Sequence, residues 1–311
     1  MNSRDSLARG VAPSPPRTLH ARSLAGSIRV APQTGRTIRF GRENRPSVDL
    51  SVGEDDLRVS RRHGELIYRQ DRWWLQPLLT AVALVLFIVY ATFRAFQNDH
   101  YFAEPYISPF YSPCLTTACE GDTFPELFTG PAWISPALYI LIFPLGIRMT
   151  CYYYRKAYYR SFWLSPPACA VAEPHRRYTG ETRLPLLGQN LHRYFFYLGL
   201  LFNVVLTYDA VLAFRDETGA WGHMGLGTLV LLANAALLWL YSLSCHSCRH
   251  IVGGRLNSFS RHPLRYRFWT LVSKLNAKHM SYAWISLFGV AFADFYVFLL
   301  VTGTIPDLRF F

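Results

Sequence analysis

Acidic residues are scarce in this chain, and scarcest where the basic ones gather. Its 311 residues include 20 Asp or Glu against 32 Lys or Arg, for a formal net charge of +12. The stretch 249–280 holds Arg249, Arg255, Arg261, Arg265, Arg267, Lys274 and Lys278 without a single carboxylate. The stretch 96–131 is the converse: it has Asp99, Glu104, Glu120, Asp122 and Glu126 and no Lys or Arg. Basic low-complexity tracts and nucleic-acid-reading motifs are missing, so nucleic acid is excluded as the reason for the charge. Met1 to Arg22 has no apolar core, which excludes a secretory signal peptide. Rich in Ser, Pro and Arg, residues 1–35 read as a disordered tail.

What is abundant is apolar and aromatic surface: 51% of residues are hydrophobic, with 22 Phe, 19 Tyr and 8 Trp. A hydrocarbon core about 30 Å thick needs roughly 20 apolar residues at helical rise. Five segments meet that length, Pro77–Phe96, Trp133–Tyr154, Tyr194–Phe214, Met224–Ser244 and Tyr282–Thr302. The expected fold class is therefore an all-α membrane protein, a five-helix bundle over 76–311 behind a short β-rich fragment at 36–75. Arg155, Lys156, Arg160, Arg176, Arg177, Arg183 and Arg193 fill the loop after the second segment. By the positive-inside rule both basic loops are cytoplasmic, so the N-terminus lies inside and the C-terminus outside. Trp73, Trp74, Trp133, Trp221 and Trp284 mark span ends. Asn203, Asp209, Asn234 and Asp294 fall inside spans, where cost in lipid directs them to the bundle interior.

Soft and borderline metal donors collect on the expected cytoplasmic face. Cys245-His246-Ser247-Cys248-Arg249-His250 closes the fourth segment, and Cys169 and His175 follow Ser165-Pro166-Pro167. Reduced thiols beside imidazoles there read as metal ligands rather than disulfides. On a continuous helix Cys245 and Cys248 share a face that His246 and His250 do not, so one small site does not take all four. The expected donors are Cys169, His175, Cys245, Cys248, His246 and His250. Two Cys with two His are what a Rieske [2Fe–2S] centre takes; zinc accepts the same donors. Cys151 lies on the same face. His192 and His279 each precede a span, a placement that suits a haem b clamp, and His192 also suits a quinone contact. Tyr154, Arg160, Ser161, Trp163 and His192 make the expected quinone pocket. Cys114 and Cys119 fall outside, as a short-loop disulfide or as thiols.

Two resemblances add to this. Thr37-Ile38-Arg39-Phe40-Gly41-Arg42 with Val59-Ser60-Arg61-Arg62-His63-Gly64 resembles part of a forkhead-associated domain. The resemblance implies that Arg42, Ser60 and Arg61 contact a phosphothreonine and that His63 braces the loop. The chain then runs Trp73-Trp74-Leu75-Gln76-Pro77 into a span, so the fragment is truncated and its strand edges are uncovered. Dependable phosphopeptide binding is not expected of it.

From Arg72 to Phe311 the chain resembles the single-chain membrane anchor of actinobacterial succinate dehydrogenase. The strings that carry this are Ser108-Pro109-Phe110-Tyr111-Ser112-Pro113-Cys114, the run from Cys151 to Cys169, Cys245 to His250, and Leu271-Val272-Ser273-Lys274-Leu275-Asn276-Ala277. That resemblance implies a bacterial inner-membrane subunit of succinate:quinone oxidoreductase that itself binds no succinate. It further implies docked flavoprotein and iron–sulfur subunits, a Rieske-type [2Fe–2S] cluster and menaquinone as the electron acceptor.

Overall fold

The computed structural model describes residues 74–114, 134–165, 184–216, 218–254 and 260–311, five strand segments before residue 68, and residues 175 and 258. It divides into two units, Met1–Val82 with Ala157–Glu181, and Ala83–Lys156 with Thr182–Phe311.

In the first unit, β1 (Leu19–Arg22) pairs antiparallel with β2 (Ser27–Val30). These strands stand where a disordered tail is expected. The sequence there has period-2 patterning, and the backbone register pairs apolar positions, Leu19 with Val30 and Ala21 with Ile28. Next come β3 (Thr37–Gly41), β4 (Leu50–Ser51) and β5 (Gly64–Ile67), in sheet order β4-β3-β5. β3 runs parallel to β4 and antiparallel to β5. Arg42, Ser60, Arg61 and His63 lie outside the described residues.

The second unit is helical. α1 (Leu75–Gln97) enters it from the first, and the short strands β6 (Phe102–Ala103) and β7 (Tyr106–Ile107) form a hairpin after it. Then come α2 (Ala137–Ile140), α3 (Ile142–Thr150), α4 (Tyr152–Phe162), α5 (Leu184–Leu212), α6 (Leu226–Leu243), α7 (His246–Gly253), α8 (Pro263–Asn276) and α9 (His279–Val301). Four described helices are long and apolar enough to cross a bilayer: α1, α5 from Asn190, α6 and α9. The expected second span, Trp133–Tyr154, instead holds α2, α3 and the start of α4 in series, with extended backbone at Cys151. Cys151 still hydrogen-bonds back to the Arg148 carbonyl, so the interruption is local.

Apolar side chains point outward along these helices, among them Val85, Leu86, Val89, Phe93, Val204, Phe288 and Phe292, all exposed. Polar ones point inward: Asn203, Asp209, Asn234 and Asp294 are all buried. This inversion is what a hydrocarbon surround requires. α6 packs between α5 and α9, and α3 lies against α5. The α3–α5 approach is close enough to need glycine: a Cβ on Gly146 would stand 2.2 Å from the Phe195 ring.

Each end of the bundle has its own polar cluster. At one end the Asp294 carboxylate accepts from Tyr90 Oη at 2.5 Å, from Arg94 Nε at 2.8 Å and Nη2 at 3.2 Å, and from Ser108 Oγ. Asp307 there accepts from Tyr106 and Tyr296 Oη, each at 2.6 Å, and from the Gly227 N–H at 3.0 Å. Burial and Asp307 together push the Tyr106 hydroxyl up to about 12. Cys114, in the same loop region, is disulfide-bonded; Cys119 lies outside the described residues. The other end holds the candidate site.

Candidate cysteine–histidine site

Residues from four parts of the helical bundle meet in the second unit. Cys151 follows α3, His192 opens the apolar stretch of α5, Cys245 caps α7, and His279 begins α9. All four are buried, with Cys151 and His279 each 1% exposed. His192 Nε2 lies 3.1 Å from Cys245 Sγ, and His279 Nε2 lies 3.6 Å from Cys151 Sγ.

Hydroxyls behind the two rings decide which nitrogen carries the proton. Thr150 Oγ1 donates to the Gly146 carbonyl at 2.7 Å, so it accepts from His192 Nδ1–H at 2.8 Å. Ser244 Oγ donates to the Tyr241 carbonyl at 3.0 Å, so it accepts from His279 Nδ1–H at 2.7 Å. A hydroxyl has one proton to give. Both imidazoles are therefore fixed with the Nε2 lone pair turned inward, where each accepts a thiol S–H. Holding the outer nitrogen in this way is how proteins orient metal-binding histidines.

The surround is dry and aromatic. Tyr241 stacks on His279 with ring centroids 5.2 Å apart and planes 8° from parallel. Tyr153 lies edge-on to His279 at 5.5 Å. Burial, with the nearby Cys151 thiol adding to it, pushes the Cys245 thiol up to about 12, although the Ser247 N–H at 3.4 Å acts in the opposite sense. A thiol so placed keeps its proton until a cation displaces it. Among the described residues no three Cys, His, Asp or Glu side chains converge on a single ion. The arrangement is two thiol–imidazole pairs.

Among the described residues, the expected donor that forms one of these thiol–imidazole pairs is Cys245. His246 sits at its edge, 6.3 Å from the His279 ring and stacked on Tyr153, and burial lowers its pKa. Cys248, one helical turn on, is buried in the same apolar cluster as Cys151 and Cys245 and also lines a groove with Phe196, Tyr197 and Trp239; it makes no thiol–imidazole contact among the described residues. His250 is exposed. His175 is exposed in the first unit, its Nε2 3.2 Å from the Trp163 carbonyl. Cys169 lies outside the described residues. The 245–250 string is dense in donors, but its helical geometry spreads them over different faces. Cys151 and His279 were missed as members of this set because their partners are about 130 residues away in sequence; the legible signal was that all four close or open a span on one side.

The expected quinone contacts divide in a similar way. Tyr154 is buried in the second unit, where its hydroxyl donates to the Ala283 carbonyl at 2.6 Å. His192 is engaged with Cys245. Arg160, Ser161 and Trp163 belong to the first unit, where Trp163 packs on Tyr159 with centroids 5.4 Å apart.

A cavity of about 350 Å³ opens beside the cysteine–histidine cluster. Its walls are mostly Phe, Leu, Ile and Ala, and its polar groups are Arg148, Tyr241, Asn203, Ser242 and Thr92. Arg148 donates to Tyr154 Oη at 2.5 Å and, at 3.3 Å each, to the Ala283 carbonyl and Ser286 Oγ. Its guanidinium lies 5.0 Å over the Tyr241 ring. Among the described residues no carboxylate pairs with it.

Fold and site together define a multi-pass α-helical membrane protein with buried thiols and imidazoles gathered at one end. Residues 75–303 match the family model described as actinobacterial succinate dehydrogenase subunit SdhC. The chain belongs to that family and is a membrane subunit of a succinate dehydrogenase complex. Among solved structures it is similar to a chain of the Mycobacterium smegmatis Sdh1 complex in the apo form, with TM-score 0.72 and 54% identity over 78% of this chain and 93% of that one. No curated protein matches it. The family match starts at residue 75, so the β-rich fragment at 36–75 falls outside it.

Proposed function

We propose that this subunit anchors the flavoprotein and iron–sulfur subunits of succinate:quinone oxidoreductase and passes their electrons to menaquinone. The observation that carries this reading is the convergence of Cys151, His192, Cys245 and His279. Two thiols and two inward imidazole lone pairs match the ligand set of a Rieske-type [2Fe–2S] centre. When bound, such a centre supplies one-electron transfer, at a potential raised by the imidazoles. This chain's residues supply the rest: Thr150 and Ser244 orient the imidazoles, and the aromatic wall of Tyr153, Tyr154 and Tyr241 excludes water. The bis-histidine haem alternative fits less well, because each inward Nε2 faces a sulfur.

For the quinone, the cavity beside Tyr241 replaces the pocket expected from the sequence. It is apolar enough for a prenylated ring, and Arg148 offers an unpaired cation to the carbonyl oxygen on which negative charge develops during reduction. A five-span topology is part of this proposal. Its second span is the broken helix of α2 and α3, Ala137–Thr150, carried past the break at Cys151 into the start of α4. The N-terminus is placed inside. The basic 249–280 loop at the cluster end and the disulfide-bonded Cys114 toward the opposite end support that placement.

The test is iron analysis with EPR on the whole complex purified with this subunit. Wild type is expected to show a Rieske-type signal absent from the double variant Cys151→Ser/Cys245→Ser, while Cys248→Ser keeps it. Sharp reduced haem bands, or stoichiometric zinc without iron, would overturn the cluster assignment.

A further inference from the structure

α8 carries three chemically different faces. Leu264, Phe268, Leu271 and Leu275 recur at steps of four, three and four residues, so they form one stripe along the helix. Leu264, Phe268 and Leu271 are 64%, 54% and 55% exposed, and Leu275 is partly buried. To one side of the stripe lies the face that holds α8 to the bundle. Val272 is buried there, Arg265 donates to the Val252 carbonyl from Nε at 3.1 Å and from Nη2 at 2.8 Å, and Asn276 Nδ2 donates to the Ser244 carbonyl at 2.7 Å. To the other side stand Arg267 and Lys274, both exposed, with exposed Lys278 just beyond the helix end. No carboxylate occurs anywhere in 249–280 to neutralise them. A helix lying flat on a bilayer beside a bundle needs this order of faces: one on the protein, one in the acyl boundary, and cations at headgroup level.

A contiguous exposed apolar stripe calls for an occupant, and two observations identify it as lipid. Ala277 and Lys278 alone separate α8 from α9, a helix long and apolar enough to cross the membrane. That link reaches roughly 10 Å at full extension, so α8 cannot leave the bilayer surface. The charge flanking the stripe is of one sign, complementary to anionic headgroups. We propose that α8 is a bilayer-surface helix that binds anionic phospholipid at the end of the bundle holding the cysteine–histidine site. Leu264, Phe268 and Leu271 enter the upper acyl region, while Arg267, Lys274 and Lys278 meet the phosphates. The proposal does not depend on a cluster being bound, nor on which side of the membrane that end faces.

Nitroxides attached one at a time to the whole complex, in nanodiscs of phosphatidylcholine and phosphatidylglycerol, report the depth of each position. At Leu264→Cys, Phe268→Cys and Leu271→Cys, power-saturation EPR is expected to show frequent collision with oxygen and little with a water-soluble nickel chelate. Lys274→Cys should show the reverse, and labelled protein without an added cysteine supplies the background. Free nickel access along the stripe would overturn the proposal. So would exclusion of oxygen and nickel alike, the signature of a docked protein. Headgroup recognition has a separate readout, native mass spectrometry of the delipidated complex titrated with either lipid. Wild type should bind phosphatidylglycerol the more tightly. Arg267→Gln/Lys274→Gln should weaken that binding about fivefold per charge removed and leave phosphatidylcholine unchanged. Lack of preference in wild type, or an equal loss of both lipids in the variant, would overturn the assignment of the cations to phosphate.

Discussion

Replacing Asp294 by Leu removes the acceptor at the centre of the buried network opposite the cysteine–histidine site. Arg94 and Asp294 are 1% and 0% exposed at their side chains, with Nε to Oδ2 at 2.8 Å. Three side chains, Tyr90, Arg94 and Ser108, donate to that one carboxylate. Arg94 keeps only neutral acceptors once it is gone: the Gln97 side chain and the carbonyls of Asp99 at 3.3 Å and His100 at 3.1 Å. Breaking a buried pair by deleting one partner costs about 3–5 kcal/mol, because the surviving charge is stranded in a low dielectric. The orphaned Tyr90 and Ser108 hydroxyls add to that cost. Removing both charges as Arg94→Met/Asp294→Leu leaves no stranded ion and is expected to be milder than Asp294→Leu alone, a non-additivity that a double-mutant cycle isolates. Reversible unfolding titration of the subunit in mixed SDS micelles measures both. A single variant costing under about 1 kcal/mol, or a double variant as damaging as the sum of its parts, would refute the claim that the pair is desolvated.

Two further expectations concern the cluster. Thr150→Val and Ser244→Ala each delete the acceptor for an imidazole Nδ1–H while leaving all four donors, and metal retention against chelator should fall about 10–100-fold. Unchanged retention would mean that the hydroxyls do not orient the rings. In metal-free protein, Cys245 should resist iodoacetamide at pH 8, because its raised pKa, about 12, leaves it protonated where an ordinary thiol is partly ionised; reactivity should appear only as pH climbs toward that value. Rapid labelling of Cys245 at pH 8 in folded protein would contradict its burial.

Much of the architecture was legible because a bilayer constrains sequence so tightly. Long apolar runs, interfacial tryptophans and charged loops of alternating sign gave the helices, and the cost of burying charge in lipid explained why Asp209 and Asp294 face inward. The second span was less legible: the extended backbone at Cys151 divides it, and hydropathy alone does not register that break. Paired strands at 19–22 and 27–30 were hidden by a polar composition, although their alternation was present.

The sequence by itself determined that this chain is a basic, multi-pass helical protein with most of its thiols and imidazoles toward one end, because transfer free energy and charge placement act on local runs of residues. Which of those donors meet was decided only by the tertiary structure. His250 lies a few residues from Cys245 yet is exposed, whereas Cys151, His192 and His279 arrive from distant parts of the chain. A ligand set assembled across helices depends on packing angle and rotation about each axis, and neither is written in any one segment.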